Sequence, residues 1–244
     1  MSEASEASLE PTPGIQLRPK IHPRHEMILS VDLGKRQDHT AYIISEATPV
    51  MEKTASGDEK PFMHIYVHNI VRLALDPNST TFYRDLAVHL YDLYHDPRLW
   101  LMNPVNHTRF RPEFLLDVGG PGEPVGDDLE RSMGMRTIRY QLVRGTSRVN
   151  RHKRLRWTVP RLMMFQMLHT AFDHGRITIN QRLKHAEGLK QELQNLKREV
   201  NEETNYVRVT HREGEHDDMS ICLASTVWWV NQHGKGQSNL RLLR

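Results

Sequence analysis

The sequence has few of the features that mark secreted, membrane or motor proteins. It contains one cysteine, Cys222, which excludes an internal disulfide and a cysteine-based zinc site and is typical of a cytosolic protein. No apolar stretch reaches the roughly 18 residues that a transmembrane helix needs. The N-terminus "MSEASEASLEPTPG" lacks the apolar core of a signal peptide. No G-x-x-x-x-G-K-[ST] loop is present, so the sequence shows no P-loop for nucleotide binding.

Composition and length fit a globular protein. The 244 residues are 38% hydrophobic and 26% charged, which is ordinary for one large domain or two small ones. The Ser-, Glu- and Pro-rich start predicts a disordered tail over residues 1–25. We expect one folded domain over residues 26–232 and a basic C-terminal tail over 233–244.

Strand and helix patterns alternate along the chain. Strand-like segments are expected at 27–34, 40–47, 62–75, 113–117, 137–144, 176–179 and 205–211. Helical spacing or helix boundary signals are expected at 76–96, 159–175, 186–200 and in an apolar C-terminal helix. The first two strands form a hairpin, and the polar residues 48–60 are expected to be a loop. This order predicts an α/β fold with a mixed sheet.

Three acidic positions border apolar elements. Asp32 follows "ILSV", Asp117 follows "FLL", and Asp217 and Asp218 stand directly before the C-terminal apolar helix. A single such aspartate usually caps a turn or a helix. Three on separate elements converge most simply on a hard cation such as Mg²⁺ or Mn²⁺. Two such ions about 4 Å apart activate water and stabilise the leaving oxygen of a phosphodiester.

Other ionisable residues near these motifs have either a functional or a purely structural interpretation. Asp38 is either a second acid behind the metal ligands or a plain turn residue. His216 is either a ligand or general base, or an exposed histidine where a helix begins. Asp127 and Asp128 follow a Gly/Pro-rich turn, and this position predicts a helix N-cap.

Positive charge is concentrated in one tract. The tract favours phosphate binding, although a solvated basic loop would have the same composition. Its members are Arg144, Arg148, Arg151, Lys153, Arg154 and Arg156.

Taken together, the acidic motifs resemble the C-terminal nuclease domain of phage terminase large subunits, a branch of the ribonuclease H-like fold. The similarity runs from about Met27 to Trp229. It is carried, in order, by "SVDLGKRQDHTAYII", "LLDVGGPGEPVGDDL" and "REGEHDDMSICLAST". The resemblance implies a mixed β-sheet flanked by helices on both faces.

The resemblance also implies a function and a site. It implies a metal-dependent endonuclease that cuts double-stranded DNA with two Mg²⁺ or Mn²⁺ ions, as in viral genome packaging. Asp32, Asp117 and Asp218 would be the metal ligands, with Asp217 beside them in the catalytic set. An ATPase domain, other terminase components and the portal would be partners, and the host cytoplasm the location. Without a P-loop of its own, the chain would be an excised domain, a split-gene product or a stand-alone relative.

Two alternatives remain at this stage. One is another ribonuclease H-like nuclease, such as a junction resolvase or a repair nuclease. The other is a non-catalytic nucleic-acid-binding domain whose acidic residues are caps. The basic tract fits all three interpretations equally.

Overall fold

A computed structural model describes residues 25–34, 39–53, 57–73, 81–102, 107–120, 122–144, 148–152, 155–201, 206–210 and 216–234. Its strands are β1 (Glu26–Asp32), β2 (Thr40–Lys53), β3 (Glu59–Leu73), β4 (Leu101–Met102), β5 (Arg109–Phe110), β6 (Glu113–Asp117), β7 (Ile138–Val143), β8 (Asn150–Arg151), β9 (Arg156–Pro160), β10 (Ile177–Ile179), β11 (Lys197–Asn201) and β12 (Tyr206–Thr210). Its helices are α1 (Phe82–His95), α2 (Gly122–Arg131), α3 (Arg161–Asp173), α4 (Ala186–Asn195) and α5 (Asp218–Gly234).

Eight strands form one mixed sheet in the order β10-β3-β2-β1-β6-β7-β9-β8. The β1–β2–β3 meander is antiparallel, whereas β1, β6, β7 and β9 run parallel to one another. The carboxyl ends of these four parallel strands therefore meet at one edge of the sheet, which we call the carboxyl edge. The predicted mixed sheet and the opening hairpin are confirmed.

Alternating side chains divide the protein into two cores. In β1, Ile28 contributes to a core formed with α3, α4 and α5, and Leu29 and Val31 contribute to a core formed with α1 and α2. This period of two is the normal strand pattern. Helices therefore cover both faces of the sheet, as the resemblance to terminase nuclease domains implied. None of the helices in the described residues is long and apolar enough to span a bilayer.

Helix α5 is buried along most of its length, which explains its apolar composition. The Ser30 and Thr226 hydroxyls are 2.6 Å apart, and the Cys222 thiol donates to the Ala41 carbonyl at 3.4 Å. Trp228 is fully buried, with its ring centroid 5.8 Å from that of Tyr140. These contacts fix α5 across β1, β2 and β7 on one face of the sheet.

Several predicted boundaries are wrong. Residues 48–53 and 59–60 of the predicted loop belong to the paired strands β2 and β3, and residues 54–56 lie outside the described residues. The predicted helix 186–200 ends at Asn195, and residues 197–201 form β11 paired with β12. The predicted helix 159–175 begins at Arg161, because Arg156–Pro160 form β9. Helix α5 extends to Gly234, two residues into the predicted C-terminal tail.

Candidate active site

Asp32 and Asp117 lie side by side at the carboxyl edge. In the parallel β1–β6 pair, Val31 is opposite Leu116, and the next residue in each strand is the aspartate. Each aspartate lies two residues beyond a side chain on the α5 face, Ser30 in β1 and Leu115 in β6. Both carboxylates therefore lie on the face that α5 covers.

Asp218 reaches the same place from the start of α5. Thr226, Cys222 and Asp218 are spaced by four residues and so lie along one side of the helix. Thr226 contacts β1 and Cys222 contacts Ala41, which is the register partner of Asp32. One further helical turn, about 6 Å, carries Asp218 to the carboxyl edge. The structure thus brings together three carboxylates that are distant in sequence.

The electrostatics of two buried neighbours reflect this convergence. Burial raises the pKa of the Cys222 thiol well above its usual range, and the carboxylates of Asp32, Asp218 and Asp117 raise it further. Burial also raises the pKa of the Tyr140 hydroxyl, again with contributions from Asp117 and Asp32. The carboxylates act on one shared region.

Asp217 points its carboxylate at an arginine. Arg161, the first residue of α3, forms an ion pair with Asp217 and donates from Nε to the Val209 carbonyl at 3.1 Å. Burial lowers the pKa of Arg161, and Asp32 and Asp117 oppose that shift. Asp217 therefore holds a cation beside the other carboxylates. Arg161 was not among the residues predicted from the sequence, although an arginine in the first turn of a helix is electrostatically disfavoured and so was a usable signal.

The start of α5 is capped from another helix. The backbone N–H of Ser220 donates to Glu192 Oε2 at 2.8 Å, and Glu192, only 5% exposed, also forms an ion pair with Arg72. The Asp217 backbone carbonyl accepts the first helical bond, from Ile221. A carboxylate from α4 thus satisfies an N–H group that a local aspartate cap would otherwise satisfy. This cap was not predicted from the sequence.

Two histidines adjoin Asp218. His39 precedes β2 at the carboxyl edge, and its ring lies 4.8 Å from that of His216, edge to face at 88°. One ligand atom each from His39, His216 and Asp218 lie within 4.8 Å of one another. His216 was a candidate from sequence, whereas His39 was missed because it stands in a polar turn next to Asp38. Asp38 itself lies outside the described residues.

The Gly-rich turn after β6 fixes the Asp117 side chain. The Gly119 N–H donates to Asp117 Oδ1 at 2.7 Å. A Cβ at Gly122 would lie 2.0 Å from the Asp117 carbonyl oxygen, so only glycine fits where α2 begins. Because α2 starts at Gly122, Asp127 and Asp128 lie inside the helix, and their predicted N-cap role is wrong. Asp117 combines a turn-stabilising hydrogen bond with a place in the acidic cluster.

The basic tract divides into two parts. Arg144 follows β7 at the carboxyl edge and is exposed, as is Arg148, which precedes β8. At the opposite end of β9, Arg156 forms ion pairs with Glu123 at 2.5 Å and Asp127 at 3.6 Å. Arg151 is exposed, with its guanidinium 5.3 Å from the Trp157 ring centre. Lys153 and Arg154 lie outside the described residues.

The donor set fits a divalent cation. Carboxylate oxygens are the ligands that Mg²⁺ and Mn²⁺ prefer, and imidazole nitrogens suit transition metals. Asp117 and Asp218 are only 7% and 8% exposed, and clustered buried carboxylates need positive charge nearby. A bound cation would supply that charge in addition to Arg161.

Comparison with known proteins connects this geometry to one fold. No family model matches the sequence, and no curated protein matches it. Among solved structures, the magnesium-bound large terminase nuclease from thermophilic phage G20c superposes with a TM-score of 0.54 and 14% identity, covering 85% of this chain and 82% of that one. Another structure of the same nuclease superposes with a TM-score of 0.47 and 14% identity, over 84% of this chain and 82% of that one. The protein therefore shares the fold of a large terminase nuclease domain.

Proposed function

We propose that the protein is a metal-dependent endonuclease that cleaves double-stranded DNA, as in viral genome packaging by terminase. The observation that carries the proposal is the meeting of Asp32, Asp117 and Asp218 at the carboxyl edge, from two parallel strands and one helix. The shared fold with a terminase nuclease supports it. The structure of that nuclease with magnesium supports the choice of a divalent cation.

Asp32, Asp117 and Asp218 would hold the cations, with Asp32 between the other two in the arrangement of strands and helix. When bound, two such ions would lower the pKa of an attacking water and stabilise negative charge on the leaving 3′ oxygen. Gly119 fixes Asp117 through its 2.7 Å hydrogen bond, and Glu192 fixes the start of α5 beside Asp218. These contacts hold the carboxylates in place before substrate arrives, which reduces the reorganisation needed for reaction.

Arg161 would bind a phosphate of the DNA backbone. Its guanidinium is paired with Asp217 and lies close enough to Asp32 and Asp117 for both to affect its pKa. A guanidinium next to a cleft of carboxylates offers hydrogen-bond donors to a phosphodiester that would otherwise be repelled there. Asp217 thus orients Arg161 and so belongs to the proposed catalytic set as a positioning residue.

The DNA backbone would lie along the carboxyl edge past Arg144 and Arg148. Phosphate contacts from arginines position a duplex without reading its sequence, so this edge predicts binding with little base preference. Arg151, with Lys153 and Arg154, would extend that contact. In the packaging role, an ATPase domain, other terminase components and the portal would be partners in the host cytoplasm.

Cleavage of supercoiled plasmid with Mn²⁺ or Mg²⁺ tests the proposal, with Asp32→Asn as the diagnostic variant. We expect a loss of at least about a hundredfold with an unchanged circular dichroism spectrum. Asp128→Asn is the matched control, because Asp128 is exposed on α2 and should retain full activity. Full activity of Asp32→Asn would refute the assignment. Faster cleavage of four-way junctions than of linear duplex would identify a junction resolvase instead.

A further inference from the structure

The cluster of His39, His216 and Asp218 has ligands that the carboxylate site does not require. Its three side chains come from three places: the residue before β2, the residue two before α5 and the first residue of α5. Their ligand atoms lie within 4.8 Å of one another. Ligands of one transition metal ion, each about 2.1 Å from it, lie roughly 3–3.5 Å apart. The ligand atoms of the cluster are therefore within roughly 2 Å of the spacing that one ion needs.

The three-ligand set itself has a chemical preference. Two imidazoles and one carboxylate leave coordination positions open for water or substrate, and this set is typical of Fe²⁺, Mn²⁺ and Zn²⁺ sites. Mg²⁺ prefers oxygen ligands and keeps several waters. An imidazole pair next to a magnesium-type carboxylate site would therefore favour a transition metal over Mg²⁺.

We propose that His39 and His216, with Asp218, form a transition-metal position that makes the carboxyl edge selective for Mn²⁺ over Mg²⁺. The inference rests on the proposed function, since Asp218 is shared with the carboxylate site. It names the metal and adds two nitrogen ligands from this chain. The edge-to-face contact of the two rings at 4.8 Å keeps both imidazoles at the carboxyl edge before metal arrives.

Metal binding can be measured without any substrate. Titration of the full chain with Mn²⁺ alone and with Mg²⁺ alone, by calorimetry, should give a lower Kd for Mn²⁺. The double variant His39→Asn/His216→Asn should lose at least roughly tenfold in Mn²⁺ affinity, with little change for Mg²⁺. His169→Asn is the matched control, because the His169 side chain is 79% exposed on α3 and should leave both Kd values unchanged. A double variant with wild-type Mn²⁺ affinity and selectivity would overturn the proposal.

A spectroscopic measurement on the wild-type chain covers the case in which the double variant fails to fold. Electron spin-echo modulation of the Mn²⁺-loaded protein should show coupling to imidazole ¹⁴N. A spectrum without ¹⁴N coupling would show that only water and carboxylate oxygens bind the Mn²⁺, which would contradict the proposal. That is the result expected if the two imidazole rings only pack against each other. Tight Mn²⁺ binding with nitrogen coupling but no cleavage of any DNA would refute the nuclease function and leave the metal site standing. Cleavage of DNA without nitrogen coupling would support the nuclease function and refute the histidine metal site.

Discussion

The adjacent strands β1 and β6 each begin and end with an acidic residue, so that one acidic pair lies at each end of the two strands. The two pairs have different charged groups around them. Glu26 and Glu113 are at the amino ends of the strands, and Asp32 and Asp117 are at the carboxyl ends. α5 crosses the same face from Asp218 at the carboxyl edge to Trp229 near Glu26. The positive end of the helix dipole therefore points at one pair only.

The amino-end pair relieves its repulsion by keeping a proton. The pKa of Glu26 is raised to about 7, mainly by burial and in addition by the Glu113 carboxylate, although Arg136 and a hydrogen bond from Trp229 act against the shift. Burial also raises the pKa of Glu113, and Arg136 opposes this. The two ends of the strands therefore differ in the positive groups that surround their acids, and at the carboxyl edge those groups are Arg161 and the start of α5.

The strongest test of the comparison replaces one acid at each end of β6. Asp117→Asn should lower metal-dependent plasmid cleavage by at least about a hundredfold, because it removes a charged oxygen from the proposed metal ligands. Glu113→Gln is the matched substitution on the same strand and should cleave like wild type. Equal loss in the two variants would mean that the two ends of the sheet do not differ in function.

The second-largest effect is expected from Arg161→Met, which removes a positively charged side chain from the carboxyl edge and should lower stability. Arg161→Met leaves Asp217, which is 7% exposed, without its ion-pair partner beside other carboxylates. We expect a loss of roughly 3 kcal/mol in the free energy of unfolding at neutral pH, measured by urea denaturation without divalent ions. Adding Asp217→Asn should recover part of that loss. Additive single-variant effects in this double-mutant cycle would show that the pair is not coupled.

The amino-end pair predicts a pH dependence of stability. The pKa of Glu26 is about 7 in the folded protein against 4.5 for the ordinary carboxyl. The folded state thus binds this proton more tightly, so the stability contribution is full below pH 4.5 and is lost as the pH rises to about 7. Glu26→Gln should reduce this slope, to which the raised pKa of Glu113 also contributes, and should stabilise the protein at pH 8 by up to roughly 3 kcal/mol.

A second carboxyl group serves as the control for that pH window. The hydrogen bonds from His25 and His68 lower the pKa of Glu46 to about 2. Its stabilising contribution is present above pH 4.5 and is lost as the pH falls towards 2, so it does not overlap with that of Glu26. If Glu26→Gln and wild type gave parallel stability curves between pH 5 and 8, the buried-proton explanation would be wrong.

Much of the site was predictable because it depends on strand ends. Asp32 and Asp117 follow apolar strands, and the parallel pairing of β1 with β6 then makes them neighbours. The "HDD" motif marked the start of α5. Interleaved strands and helices were enough to predict a mixed sheet, and the resemblance to terminase nuclease domains implied helices on both of its faces.

The parts that sequence missed depend on contacts between distant elements. Arg161 is defined by its pair with Asp217, 56 residues away, and Glu192 caps α5 from α4, 28 residues before Ser220. Spacing signals neither contact, although the unfavourable position of Arg161 in the first turn of a helix indicates a negative charge nearby. β11 was assigned to a helix because "KREV" continues a helical apolar period, and pairing with β12 outweighs that local preference.

The smallest expected effect is a change in DNA affinity when single arginines of the basic tract are replaced. It tests whether DNA contacts only the carboxyl edge or also the rest of the sheet. In an Asp32→Asn background, Arg148→Ala should weaken duplex binding a few-fold and reduce the slope of log K against log salt by about one. Arg156→Ala should leave DNA affinity and salt slope unchanged and lower stability instead, because Arg156 is paired with Glu123 and Asp127. Both variants would be measured by fluorescence anisotropy across a salt series without divalent ions. A salt slope that falls equally in both variants would mean that the whole tract contacts phosphate and that DNA extends well beyond the carboxyl edge.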